Sequence, residues 1–136
     1  MDIEEIVTKT IDCAMNVRKY FGEGYLESVY QESLLVELRH AGLQAEKEFP
    51  IKVYYKDGSE VGFFKVDILV EHALIVELKA ATELTPRHEM QLVNYLKCTR
   101  METGLLINFW GPTIEIRRKY RNYKPRGSYV LSLIHI

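Results

Sequence analysis

The chain has 136 residues, close to the usual size of one folded unit, with 47% hydrophobic and 27% charged residues. These values exclude disordered, collagen-like and low-complexity classes. The longest apolar runs, such as residues 73–76, are far too short to span a bilayer, so no membrane partner is expected.

The spacing of Ile3, Ile6, Val7, Thr10, Ile11, Ala14, Met15 and Val17 or Arg18 predicts an amphipathic helix over 2–20. Gly22 and Gly24 interrupt it. A second helix is predicted over 25–40, with Leu26, Tyr30, Leu34 and Leu38 spaced by four and Gly42 as its stop. The pattern then changes to period two. Phe49, Ile51, Val53 and Tyr55 alternate with Pro50, Lys52, Tyr54 and Lys56, and Asp57-Gly58 marks a hairpin turn. The returning strand is expected over 61–70, and Glu71-His72 connects it to a third strand over 73–80. Thr85-Pro86 is a helix start, a capping hydroxyl followed by proline, and that helix carries Met90, Leu92, Val93 and Leu96 to about Lys97. Two further strands are expected over 104–109 and 113–119, around Gly111-Pro112. The order α-α-β-β-β-α-β-β, with no Pro/Gly/Ser linker, predicts an α/β unit over 1–130 in which helices flank a mixed sheet.

Charge is unevenly distributed. Residues 1–116 hold 12 of the 18 Lys and Arg and all 19 Asp and Glu, whereas residues 117–136 hold the other 6 cations and no acid. Such a division fits a metal site beside a phosphate-binding edge made by Arg117, Arg118, Lys119 and Arg121. It fits a solvated tail equally well.

The stretch Phe64-Lys65-Val66-Asp67-Ile68-Leu69-Val70, followed by Ile75-Val76-Glu77-Leu78-Lys79, carries the chemistry. Charges within apolar strands are costly to bury unless they are paired or bound to metal. Period two puts Glu77 and Lys79 on one strand face and Leu78 on the other, and a tight turn brings Asp67 onto the neighbouring strand. Two carboxylates and a backbone carbonyl offer hard oxygen ligands to Mg²⁺, and the neighbouring ammonium is a group able to orient water. The same residues also suit an ion pair of Lys79 with Glu77 or Asp67. His88, Gln91 and Tyr95 share one face of the third helix, and Glu27 and Tyr30 form an i,i+3 pair at the start of the second.

The segment Gly24-Tyr25-Leu26-Glu27-Ser28-Val29-Tyr30 fits the pattern GxxExxY. With the residues above, it resembles the small GxxExxY proteins of the PD-(D/E)XK nuclease superfamily over roughly residues 3–117. That resemblance implies a restriction-endonuclease-like fold and a Mg²⁺- or Mn²⁺-dependent nuclease acting on nucleic acid, with DNA the expected substrate. It further implies that Glu27, Asp67, Glu77 and the Leu78 carbonyl form the metal shell and that Lys79 activates water. Gln91 and Tyr95 match the Gln-x-x-x-Tyr of the lambda and recombination-type exonucleases. Val66, rather than proline, precedes Asp67. The alternative is a catalytically silent nucleic-acid-binding or protein-interaction module on the same fold, and either version leaves room for a homo-oligomer or a protein partner that supplies specificity.

The acidic start, Met1-Asp2-Ile3-Glu4-Glu5, does not look like a secretory leader, and Cys13 and Cys98 are too few and too far apart for a Cys-rich zinc site. A cytoplasmic protein with two reduced packing cysteines is the expectation. Residues 131–136, Leu-Ser-Leu-Ile-His-Ile, read as the translation of a transposon end used in sequencing adapters. They are expected to be non-native, and His135 carries no role.

Overall fold

The computed structural model describes residues 1–122. The last basic residues Lys124 and Arg126, the end of the expected 1–130 unit and the 131–136 segment lie outside the described residues. The elements are α1 (Ile3–Phe21), α2 (Glu27–His40), β1 (Ala45–Tyr54), β2 (Glu60–Val70), β3 (Leu74–Lys79), α3 (Pro86–Lys97), β4 (Thr103–Asn108) and β5 (Glu115–Tyr120). This is the expected order, and the mixed sheet flanked by helices is the expected architecture.

Local chemistry sets the helix ends. The Asp2 carboxylate accepts the Glu5 N–H at 2.8 Å and caps α1. Gly42, at φ +85°, closes α2: its N–H reaches the Arg39 carbonyl while the Leu43 N–H reaches that of Leu38, both at 3.0 Å. Thr85 and His88 cap α3 reciprocally, which gives His88 a structural use.

The five strands lie in the order β1-β2-β3-β4-β5. Every neighbouring pair is antiparallel except β3–β4, where α3 provides the crossover that a parallel pair requires. Glu71 and His72, at φ +53° and +51°, form the tight turn between β2 and β3.

Two cores follow from the alternation. Val17, Leu34, Leu38, Val76, Leu78 and Ile107 pack α1 and α2 onto one face, and Leu69, Ile75, Leu92, Leu96 and Leu106 pack α3 onto the other. Because β3 is covered on both faces, it reads as a nearly continuous apolar run broken by Glu77 and ending on Lys79.

Some expectations are corrected. β1 begins at Ala45 rather than Phe49, because Glu46 and Lys47 hide the apolar period although Lys47 pairs with Ile68. Leu26 is the exposed N-cap of α2, not a core residue, and Met15 and Met90 are exposed too. Cys13 is buried, but Cys98 is exposed at the end of α3.

Candidate functional site

The regular ladder between β2 and β3 runs only from Val70–Leu74 to Ile68–Val76. At the next level the carboxylates replace it. The Asp67 N–H donates to Glu77 Oε2 at 2.7 Å, and the Leu78 N–H donates to Asp67 Oδ2 at 2.8 Å. Beyond this level β2 pairs only with β1 and β3 only with β4, so the sheet forks. Strand alternation also breaks here. Val66 lies in the α3-side core and Ile68 in the opposite one although they are two residues apart, and Glu48, across on β1, has φ +52°. Interruptions of this kind re-aim side chains.

Burial dominates the electrostatics. Glu77 is only 5% exposed, and desolvation, followed by repulsion from Asp67, pushes its carboxyl up to about 8. Desolvation also raises Asp67. The Leu78 N–H and the Lys79 charge oppose that rise, whereas Glu48 and Glu27 add to it. Two adjacent acids held above the usual carboxylate range mark a place short of positive charge.

Lys79 lies one strand period beyond Glu77, is half-buried, and its charge favours ionisation of both acids. Its carbonyl accepts the Phe109 N–H at 2.9 Å, which anchors the end of β3. Tyr95 projects from α3 and stacks on Phe64 with ring centroids 3.8 Å apart and planes 9° from parallel. Desolvation raises its hydroxyl, the fields of Glu77 and Asp67 add to the rise, and a hydrogen bond from Gln91 opposes it. The structure therefore brings Asp67, Glu77, Lys79, Gln91 and Tyr95 together.

Glu27 is placed differently. It is exposed in the first turn of α2, and it reaches Asp67 through its field. Among the described residues no three His, Cys, Asp or Glu side chains stand close enough to hold a metal ion, so the expected three-carboxylate cluster is not gathered. Tyr30 is structural: its hydroxyl donates to the Gly22 carbonyl at 2.6 Å, and its ring stacks on Phe109.

The expected basic strip is corrected in its geometry. Period two on β5 divides it between the faces. Arg117 pairs with Glu89 and Glu115, and Lys119 pairs with Glu89 on α3. Arg118 is buried and grips Glu4 of α1 with two hydrogen bonds, while Arg121 pairs with Glu102. The four cations thus face carboxylates of this chain.

Two residues were missed. Gln31, one turn after Glu27, donates from Nε2 to the Asp67 carbonyl at 2.9 Å and to Glu48 Oε2 at 2.8 Å, so it ties α2 to both strands at the fork. Its i+4 spacing from Glu27 was a usable signal. Glu48 was missed because β1 was expected to begin after it.

A family model described as the PD-(D/E)XK nuclease superfamily matches residues 4–119. No curated protein matches the chain. A solved structure titled "Crystal structure of SSO0001" is 18% identical, covering 91% of this chain and 70% of that one, with a TM-score of 0.43.

Proposed function

Because the chain belongs to the PD-(D/E)XK nuclease superfamily, we propose that it hydrolyses nucleic-acid phosphodiester bonds, with DNA as the substrate and Mg²⁺ or Mn²⁺ as the cofactor. The GxxExxY pattern at Gly24, Glu27 and Tyr30 supports placement among the small proteins of that name. The observation that carries the reading is the pair of buried Glu77 and half-buried Asp67, repelling each other and aligned at the fork beside Lys79.

The donor set fits the cation. Mg²⁺ keeps several waters and is commonly held by one or two carboxylates, so Asp67, Glu77 and the Leu78 carbonyl are sufficient without Glu27 entering as a third ligand. A bound divalent ion supplies Lewis-acid stabilisation of the phosphate.

The chain's own groups do the rest. Asp67 and Glu77 hold the cation once ionised. Lys79 stands where an ammonium orients the attacking water and offsets phosphate charge. Gln91 holds the Tyr95 hydroxyl towards the same place, and Glu27, free at the start of α2, orders water at the rim.

The test is cleavage of single-stranded, duplex and branched DNA, and of RNA, with Mg²⁺, with Mn²⁺ and with EDTA. Metal-dependent cleavage by wild type that is lost in Asp67→Asn and Glu77→Gln is the expected result. Binding without cleavage under every condition would favour a silent nucleic-acid-binding module.

A further inference from the structure

Beyond the Asp67 level, β2 leaves β3 and continues with β1 as a two-stranded arm that carries its own exposed surface. The register defines that surface. Pro50 lies opposite Lys65 and Lys52 opposite Phe63, and all four are exposed, Phe63 at 65%. Antiparallel partners and residues two apart share a face, so two lysines sit diagonally around an open aromatic ring. The other face of the arm is used differently: Ile51 and Phe64 pack against the α3 core, and Phe64 carries the stack with Tyr95. The open face therefore belongs to an arm that is anchored on its far side. The nearer lysine, Lys65, is two residues from Asp67.

Resting on the nuclease reading, we infer that the β1–β2 arm is a grip for a single strand of nucleic acid, with Phe63 stacking on a base and Lys65 and Lys52 contacting the flanking phosphates. Charge decides the occupant. Lysines interleaved with an exposed ring match a strand of phosphates and bases. The basic residues of β5 are committed to Glu4, Glu89 and Glu115 and the adjoining Arg121 to Glu102, whereas Lys65 stands exposed in line with the fork. Lys52 reaches Glu60 at 3.6 Å, an exposed pair that a phosphate displaces at small cost. Continuity with the fork explains the position: Lys65 precedes Asp67 by two residues on β2, so a strand held by Phe63 and Lys65 runs along the arm towards the end of the sheet at which the fork opens.

The experiment measures binding of a fluorescein-labelled single-stranded DNA oligonucleotide, and of its duplex, by anisotropy. Ca²⁺ is present so that the acids are neutralised without turnover. Phe63→Ala is expected to weaken single-strand binding roughly 5- to 150-fold, the range for losing one base stack. Phe63→Trp is expected to retain it. Lys65→Gln is expected to flatten the log–log salt slope by about 0.7. Tyr20→Ala, an exposed aromatic on α1, serves as the control and should bind as wild type. Thermal melts of each variant check that the fold is intact.

Unchanged affinity in Phe63→Ala and Lys65→Gln, or no binding by wild type, would overturn the grip. So would sedimentation in which Phe63→Ala converts a dimer to a monomer with binding intact, which would make the face an interface with a second copy. The outcomes separate from those of the nuclease reading. Wild type that binds through Phe63 yet never cleaves sinks the nuclease and keeps the grip. Cleavage and binding by Phe63→Ala at the wild-type level do the reverse.

Discussion

At Gly104 the side chain of Leu92 on α3 packs directly against the backbone of β4, and replacement by alanine tests whether that close approach holds the helix in place. A Cβ built at Gly104 would lie 2.8 Å from Leu92 Cδ1, 3.1 Å from the Ile75 carbonyl oxygen and 3.3 Å from Leu92 Cδ2. Good carbon contacts sit at about 3.5–4.0 Å, so the new methyl demands roughly half an ångström or more of retreat. Neither neighbour has room. Leu92 is fully buried, and Ile75 is the register partner of Gly104 in the parallel β3–β4 pair. Overpacking of this kind costs about 1–3 kcal/mol, and the smaller entropy of the unfolded alanine chain returns about 0.4–1 kcal/mol. Gly104→Ala should therefore lose roughly 1–2 kcal/mol, a fall of about 3–10 °C in Tm for a chain of this size. Urea and thermal unfolding followed by far-UV circular dichroism measure it. Leu92→Ala alone should cost about 2–5 kcal/mol, since it empties a buried site. In the double variant the methyl enters that space, so the total should fall short of the sum by about 0.5–3 kcal/mol. A Gly104→Ala protein as stable as wild type, or costs that simply add, would refute the close contact.

Lys79→Ala should keep nucleic-acid binding in Ca²⁺ but lose about 10²–10⁴-fold in single-turnover cleavage, and Lys79→Arg should recover little because its planar fork does not replace a compact ammonium. Cleavage at the wild-type rate would remove Lys79 from the chemistry. Glu77 provides a pH test. Its folded-state carboxyl is raised from 4.5 to about 8, so its contribution to stability is fully present below 4.5 and is lost as pH rises through about 8. Metal-free wild type should therefore show a falling urea midpoint across that window, and Glu77→Gln should show a flatter one; parallel profiles would contradict the assignment. Cys13 is buried, and desolvation, with Glu37 and Asp12 adding, pushes its thiol up to about 11, whereas Cys98 is exposed. A thiol reagent at neutral pH should label Cys98 promptly and Cys13 only after unfolding, as peptide mapping would show.

The elements were legible because each one is encoded locally. Thr85-Pro86, Gly42 and Asp57-Gly58 punctuate the chain through capping and turn geometry that needs no distant partner. The change from a spacing of four in α2 to a spacing of two in β1 follows from the two backbone periods alone. The acids of the fork were legible for a related reason: Glu77 and Lys79 interrupt an apolar run in which an unpartnered charge is too costly to keep. Local spacing could not say which face of β5 each cation would take, or that Arg118 turns inward to reach Glu4, 114 residues away. Nor could it show that Gln31 joins α2 to Asp67 and Glu48, because that bond forms only after the helix packs across the sheet.

The fork itself belongs to the tertiary structure. The sequence by itself determined the type and order of the elements and which carboxylates stand among apolar neighbours, since periodicity and burial cost act along the chain. Only the assembled sheet decided that the Asp67 and Glu77 side chains take the place of ladder rungs, that alternation breaks opposite Glu48, and that β1 and β2 run on as an arm. Those features depend on register between strands and on helices packing from both sides, and neither is written in any one segment.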